Sequence, residues 1–226
     1  QLLQYFHDYV DHFGLRPHIR FNTRVEKAKR RAGGGWDVTL STGETKQYDA
    51  LAVANGHHWA ARIPEYPGHF DGAQIHSHQY RTPFEPVDCI GKRVLVVGMG
   101  NSAMDIASEL SQRPMAEKLF VSTRRGVWIF PKYYRGQPLD KNPAPAWLPK
   151  GIKQWLGARM VKGLVGKMSD YGLPEPEIGP FESHGTVSGE FLVRAGSGDI
   201  NMKPAVERLD GDGVVFTDGS REKVDV

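Results

Sequence analysis

The sequence of 226 residues has a single cysteine, little net charge and no apolar run near the roughly 20 residues that a membrane-spanning helix needs. One cysteine, Cys89, cannot form an internal disulfide, so we expect a protein of the reducing cytoplasm. Lys and Arg number 29 against 26 Asp and Glu, and the net charge of +3 argues against a dedicated nucleic-acid binder. The composition, 39% hydrophobic and 24% charged, excludes a disordered chain.

The sequence also lacks the usual signatures of metal and nucleophile chemistry. His76 and His78 would share one face of a strand, and His57 and His58 could come near them. No cysteine cluster or second acidic ligand accompanies these histidines, although zinc sites usually have one. No Ser, His and Asp set is ordered for catalysis. We therefore predict no metal site and assign no catalytic residue.

Glycine, with 26 residues, is abundant and separates short β-branched segments, which is typical of a strand-rich α/β chain. The pattern predicts a short strand at 19–22 and an antiparallel meander of 24–30, 36–41 and 44–48. The small apolar residues of 50–54 predict a strand that is covered on both faces. Before these strands, one face of a predicted helix carries Leu2, Leu3, Phe6, Tyr9, Val10 and Phe13.

The same order of segments recurs near the end of the chain. Residues 200–208 resemble 19–27, and each segment is followed by a glycine-rich hairpin and a second glycine turn. A βαβ pattern precedes the second copy, and a closing strand follows the first. We therefore expect a piece of a longer protein, in which the first copy lacks its βαβ part and the second lacks its last strand.

A glycine loop between a predicted strand, 92–97, and a helix is the strongest motif. Gly98, Gly100 and Ala103 form G-x-G-x-x-A: the first permits the tight turn, the second lets a pyrophosphate approach, and the third allows close packing of helix on strand. Free N–H groups and the dipole at the helix start would hold the phosphates. The alternative is a glycine turn that only packs closely.

The end of the next predicted strand, 118–121, indicates which dinucleotide would bind. An NAD site places Asp or Glu there for the ribose 2′-hydroxyl, whereas this chain has Ser122, Thr123, Arg124 and Arg125. Two guanidiniums beside two hydroxyls suit a 2′-phosphate, so we predict NADP(H). A solvated pair of arginines is the alternative.

From residue 54 to 126 the chain resembles the flavin-containing monooxygenases, which are class B flavoprotein monooxygenases. The resemblance lies in the family pattern F-x-G-x-x-x-H-x-x-x-Y/F, in an Asn-Ser pair within the glycine loop, and in an S-T-R-R-G run. These features are Phe70, Gly72, His76 and Tyr80; Gly98, Gly100, Asn101, Ser102 and Asp105; and 122–126.

The resemblance implies an α/β fold of tandem dinucleotide-binding, Rossmann-like domains with three-stranded meanders, glutathione-reductase-like in architecture and incomplete here. Residues 1–56 would form the rear half of an FAD-binding domain and 57–91 an interdomain linker. Residues 92–226 would form the NADPH-binding domain, with a helical insertion at about 133–180.

Within these domains the resemblance assigns three further cofactor-binding candidates. The backbone near Val25 would border the FAD adenine, and His76 and Tyr80 would lie in the linker beside the cofactors. A hydrogen-bonded histidine that only fixes the linker is the alternative for His76. The basic amphipathic stretch 147–168 is predicted to pack on the domain, with membrane contact as the less favoured alternative.

The implied activity is NADPH- and FAD-dependent monooxygenation of a small amine or sulfide by O₂, through a flavin hydroperoxide. Baeyer–Villiger relatives, which act on ketones, have Trp followed by Pro or Asp where this chain has Tyr80 and Arg81. Oxygenation of soft nitrogen or sulfur is therefore favoured, with the Baeyer–Villiger reaction and a non-catalytic NADP-binding module as alternatives. We expect this chain alone not to retain FAD, and homodimer formation stays open.

Overall fold

The computed structural model describes residues 1–56, 59–141, 147–180, 182 and 185–226. These residues form two compact units, Gln1–Trp59 and Ala60–Val226. His57 and His58, considered above as neighbours of His76, lie outside the described residues, as does part of the expected insertion. The expected domain boundaries stay predictions, although most of the expected linker belongs to the second unit.

The first unit contains one helix and an antiparallel sheet of three strands in the order β1-β2-β3. The helix confirms the amphipathic pattern, and the sheet confirms the predicted meander. The elements are α1 (Leu2–His12), a 3₁₀ turn (Arg16–His18), β1 (Val25–Arg30), β2 (Trp36–Leu40) and β3 (Thr45–Tyr48).

Two predicted strands of the first unit are wrong. Residues 19–22 follow the 3₁₀ turn as irregular chain, and Asn22 adopts a left-handed conformation with φ of 53°. Residues 50–54 are also irregular, and Val53 is 78% exposed. A strand needs a neighbour that takes up its backbone N–H and C=O groups, and no described residue pairs with either segment.

The second unit contains the predicted βαβ part, the second meander and a long connection between them. In chain order it begins with β4 (Arg93–Val97), α2 (Asn101–Leu110), β5 (Lys118–Ser122), β6 (Ile129–Phe130), β7 (Tyr133–Tyr134), β8 (Gln137–Pro138) and a 3₁₀ turn (Leu139–Lys141). It continues with α3 (Lys150–Val165), a 3₁₀ turn (Met168–Tyr171), β9 (Thr186–Val187), α4 (Phe191–Gly196), β10 (Asn201–Lys203), β11 (Val206–Asp210), β12 (Gly213–Phe216) and β13 (Arg221–Lys223).

The central sheet of the second unit is parallel, in the order β10-β5-β4. Val97 is the register partner of Ser122, so the carboxyl ends of β4 and β5 meet at one edge. Helix α2 connects these strands and buries Met104 and Leu110 in the main core. The glycine loop and the arginine turn consequently emerge side by side, as in dinucleotide-binding sheets.

The antiparallel meander β11-β12-β13 follows, and the last residues of the chain lie against β4. Asp225 and Val226 donate backbone N–H groups to the Arg93 carbonyl, and Leu95 donates to the Val226 carbonyl at 2.9 Å. The Asp225 carboxylate accepts two guanidinium hydrogen bonds from Arg93, which lower its pKa to about 2. We expected the second copy to lack its last strand. Its final two residues, Asp225 and Val226, nevertheless pair with the backbone of β4.

The connection between β6 and β9 packs partly into the core of the second unit. Val161 and Val165 of α3 are buried there, together with Met168 and Leu173. On the outer side, Trp155 is 61% exposed. None of the helices in the described part of the chain is both long and apolar enough to span a membrane.

Candidate functional site

The glycine loop connects the carboxyl end of β4 to the first turn of α2. Gly98 has φ of +113°, a conformation that side chains with a Cβ rarely adopt, and its N–H donates to the Ser122 carbonyl at 2.9 Å. Gly100 is the N-cap of α2 and has ordinary extended angles, φ −77° and ψ 173°. The backbone therefore requires glycine at the first position and does not require it at the second.

The space beside Gly100 is open. A Cβ placed on Gly100 or on Gly98 would meet no atom within 4 Å. Close packing, the alternative given for this loop, therefore does not explain either glycine. Neither conformation nor packing therefore requires glycine at Gly100, and the space beside it is open to an approaching ligand.

The first turn of α2 carries the donors that such a ligand would use. The helix starts at Asn101, no side chain caps it, and no acidic residue lies in its first turn. Its first N–H groups, at Asn101, Ser102 and Ala103, point out of the helix end without intrahelical acceptors. Ser102 is exposed, whereas Ala103 is half-buried beside β4. This end of the helix favours an anion through its N–H groups and its dipole.

In the turn after β5 the hydroxyl groups are buried, whereas the guanidinium groups are exposed. Ser122 is 1% exposed and its hydroxyl donates to the Pro204 carbonyl at 2.6 Å, while the Thr123 hydroxyl donates to the Arg125 carbonyl at 2.7 Å. Arg124 and Arg125 are exposed. The expected phosphate contact through the two hydroxyls is therefore corrected: they shape the turn, and the guanidiniums alone face solvent.

The arginine turn rests on the chain that follows α3, a contact for which the sequence gives no signal. A Cβ on Gly126 would collide with the backbone of Pro174 and Glu175. Glu175 in turn accepts a hydrogen bond from the Ser169 N–H at 2.8 Å. The segment after α3 therefore packs against the turn that follows the two arginines.

The F-x-G-x-x-x-H-x-x-x-Y motif holds the segment before β4 against the meander, the end of the chain and α2. Phe70 packs on the core of the meander, and a Cβ on Gly72 would collide with the Asp225 carbonyl. The Tyr80 hydroxyl donates to Glu109 of α2 at 2.9 Å, and burial followed by this carboxylate raises the pKa of Tyr80. These contacts explain the phenylalanine, the glycine and the tyrosine as structural residues.

His76 and Tyr80 line one cavity of about 370 Å³ beside α2 and β4. His76 is half-buried, and its Nδ1 accepts from the His78 N–H at 3.1 Å. Its remaining ring nitrogen is thus the one that carries a proton when the ring is neutral. The bond to His78 supports the linker-fixing interpretation, and a cofactor contact stays a prediction. In the described residues no three His, Cys, Asp or Glu side chains are grouped for a metal.

Val25, the candidate contact for the FAD adenine, is the first residue of β1. Its side chain is 52% exposed, so its surface is open to a ligand within the first unit. Its assignment stays a prediction.

Tyr80→Phe tests the structural interpretation of the motif. The change removes one hydrogen bond to a carboxylate, so we expect a loss of about 1 kcal/mol of unfolding free energy and little change in nucleotide affinity. Thermal melting and titration with NADP⁺ measure the two effects. A large loss of affinity in a stable variant would instead place Tyr80 at the cofactor.

One feature of the loop has no counterpart in the sequence prediction. The buried Thr186 hydroxyl donates to the Met99 carbonyl at 2.9 Å, and the Val187 N–H donates to the Asn101 side chain at 2.9 Å. The contacts span more than eighty positions, so no local pattern could reveal them.

Comparison with known proteins gives one consistent result. The sequence profile of the flavin-binding monooxygenase-like family matches residues 1–226. The chain is 35% identical over 246 aligned positions to rat dimethylaniline monooxygenase [N-oxide-forming] 2, covering 100% of this chain and 45% of the relative. It is 32% identical to human flavin-containing monooxygenase 5, covering 98% and 44%. The chain thus spans less than half the length of these relatives.

Solved structures show the same fold at low identity. Oxidized steroid monooxygenase bound to NADP aligns with a TM-score of 0.69 and 21% identity, over 99% of this chain and 54% of that one. Cyclohexanone monooxygenase from Rhodococcus sp. Phi1 bound to NADP⁺ aligns with a TM-score of 0.67 and 19% identity, over 99% and 54%. At these identities the likeness establishes the architecture alone.

Proposed function

Because the chain belongs to the flavin-binding monooxygenase-like family, we propose that Ala60–Val226 binds NADP(H) for an NADPH- and FAD-dependent monooxygenase. One observation carries this proposal. An exposed glycine that neither conformation nor packing requires lies at an uncapped helix end, at the sheet edge where two exposed arginines emerge.

The residues of this edge fit the two anionic parts of the dinucleotide. The pyrophosphate would lie over Gly100 and accept hydrogen bonds from the first N–H groups of α2, at Asn101 and Ser102. The 2′-phosphate would pair with the guanidiniums of Arg124 and Arg125. No acidic side chain lies in the first turn of α2 to compete with the pyrophosphate for these N–H groups.

In the whole protein, bound FAD would accept electrons from NADPH and activate O₂ for oxygenation of the substrate. The part played by this chain is to bind and orient the nicotinamide dinucleotide. For the FAD side we propose only that the backbone near Val25 borders the adenine. No described residue is assigned a proton-transfer step.

We further propose soft nitrogen or sulfur nucleophiles as substrates. The rat relative is named for forming the N-oxide of dimethylaniline, and it is among the relatives with the higher identity. Tyr80 and Arg81 also occupy the two positions where the resemblance implies Trp followed by Pro or Asp in Baeyer–Villiger enzymes. The protein at the full length of its relatives should therefore consume NADPH and O₂ with a tertiary amine or a sulfide, and conversion of ketones alone would contradict this.

Calorimetric titration of the chain with NADP⁺ and NAD⁺ tests the binding proposal directly. We expect NADP⁺ to bind more tightly by about tenfold or more, which corresponds to about 1.4 kcal/mol from the charge-assisted contacts of the 2′-phosphate. ATP serves as a control for general attraction of phosphates. Absence of NADP⁺ binding to a folded chain would overturn the proposal.

A further inference from the structure

The orientation of the peptide between Met99 and Gly100 is fixed by a hydrogen bond from Thr186, which lies 87 positions away in the sequence. Thr186 is 4% exposed and donates its hydroxyl to the Met99 carbonyl at 2.9 Å. Met99 itself is 7% exposed, so this carbonyl points into the protein, whereas Gly100 is exposed.

The direction of that carbonyl fixes the direction of a donor. In a trans peptide the C=O and the following N–H point to opposite sides of the chain. A Met99 carbonyl held inward by Thr186 therefore aims the Gly100 N–H outward, to the open side of the loop. No described residue accepts a hydrogen bond from that N–H.

A second contact fixes the other side of the same glycine. The Val187 N–H donates to the Asn101 side-chain oxygen at 2.9 Å. Thr186 and Val187 are held in place by strand β6, because the N–H groups of Thr186 and Ser188 donate to the carbonyls of Trp128 and Phe130 at 2.9 and 3.0 Å. Gly100 thus lies between two residues that β9 anchors.

From these contacts we infer that Thr186 is a positioning residue: it aims the Gly100 N–H at the pyrophosphate, and β9 holds the loop in its binding geometry. The inference rests on the proposed NADP(H) site. It also gives β9 a role in binding, because Thr186 and Val187 contact the loop on both sides of Gly100.

The experiment uses two probes that share the 2′-phosphate and differ in the pyrophosphate. NADP⁺ carries both groups, whereas adenosine 2′-monophosphate carries the 2′-phosphate alone. Thr186→Val keeps the shape of the side chain and removes its hydroxyl, leaving the Met99 carbonyl without its donor. We expect the Kd for NADP⁺ to rise about tenfold, while the Kd for adenosine 2′-monophosphate changes by less than about twofold.

Two further variants make the result specific to the hydroxyl. Thr186→Ser keeps a donor and should retain most of the NADP⁺ affinity. Thr217→Val, at an exposed threonine in the turn after β12, is the matched control and should leave both probes unchanged. Thermal melting of each variant shows whether it is folded.

Should Thr186→Val not fold, Val187→Pro replaces it. The Val187 N–H donates to Asn101 and not to β6, so proline removes this one contact and leaves the pairing of β6 with β9 intact. A selective loss of NADP⁺ affinity, by about two- to fivefold, is again expected.

The outcomes separate the inference from the proposal beneath it. If the unchanged chain binds no NADP⁺, the proposed function fails. If the unchanged chain binds NADP⁺ and folded Thr186→Val binds both probes as before, or loses both equally, Thr186 does not position the loop and the inference is overturned. The same result with Val187→Pro, where that variant is used instead, would show that β9 does not hold the loop, and it overturns the inference as well.

Discussion

Gly100→Val is expected to weaken NADP⁺ binding by at least about 100-fold, with little loss of stability. The new side chain would occupy the open space beside the loop, where the pyrophosphate has to approach the backbone. The fold should tolerate it, because φ of −77° and ψ of 173° are ordinary for a β-branched residue. Replacing a glycine N-cap by valine costs about 1 kcal/mol at most, or about 2–4 °C in Tm.

Gly163→Val is the matched control for this experiment. Gly163 is an exposed glycine of α3 with no atom within 4 Å of an added Cβ, so the substitution has a similar steric effect away from the loop. Its affinity for NADP⁺ should equal that of the unchanged chain in calorimetry. If Gly100→Val also bound normally while folded, the loop would be a turn and not a phosphate site.

The elements that the sequence predicts well are those that contain their own hydrogen-bonding partners. The meander of the first unit and the β4-α2-β5 part are confirmed because turn residues and apolar periodicity specify them locally. The glycine loop was predicted for the same reason, since its glycines, its strand and its helix are contiguous. The likeness to solved monooxygenase structures then confirms the fold class.

The repeat shows where such prediction stops. Residues 19–22 and 200–203 share a sequence pattern, yet only the second segment contains a strand, because β10 pairs with β5. The first segment has no pairing partner among the described residues. Strand formation at these sites therefore depends on a distant neighbour, which a local pattern does not contain.

The sequence predicts which residue types form the site. It does not predict which of them are buried in hydrogen bonds within the protein and which are exposed to a ligand. Ser122 and Arg124 lie two positions apart, and only the sheet decides that the first is buried against Pro204 while the second faces solvent. The sequence gives no sign of the role of Thr186, because its partner, Met99, lies 87 positions away in the chain. Long-range contacts of this kind need the structure.

The family motif illustrates a third limit. A motif of Phe70, Gly72, His76 and Tyr80 would suggest a cofactor site by its specificity, yet all four residues have packing or hydrogen-bonding roles within the second unit. A specific pattern therefore identifies a family more reliably than it identifies a ligand contact.

The selectivity between the two nicotinamide dinucleotides should depend on the exposed guanidiniums. Arg124→Ala is expected to weaken NADP⁺ binding by about 1.5–3 kcal/mol, or about 10- to 150-fold, and to leave NAD⁺ nearly unaffected. The reason is that the guanidinium pairs with the 2′-phosphate, which NAD⁺ lacks. Calorimetric titration of both nucleotides at a fixed salt concentration measures the ratio, because screening weakens exposed ion pairs.

Arg208→Ala removes an exposed arginine of β11 and is the control for a general loss of positive charge. Selectivity should also fall as the pH is lowered through about 6, where a phosphate monoester takes up its second proton and loses one negative charge. In Arg124→Ala this pH dependence should be weaker, because one of the two guanidiniums that attract the charged 2′-phosphate has been removed. Equal losses for NADP⁺ and NAD⁺ in Arg124→Ala, or a selectivity that does not change with pH, would show that the arginine turn does not bind the 2′-phosphate.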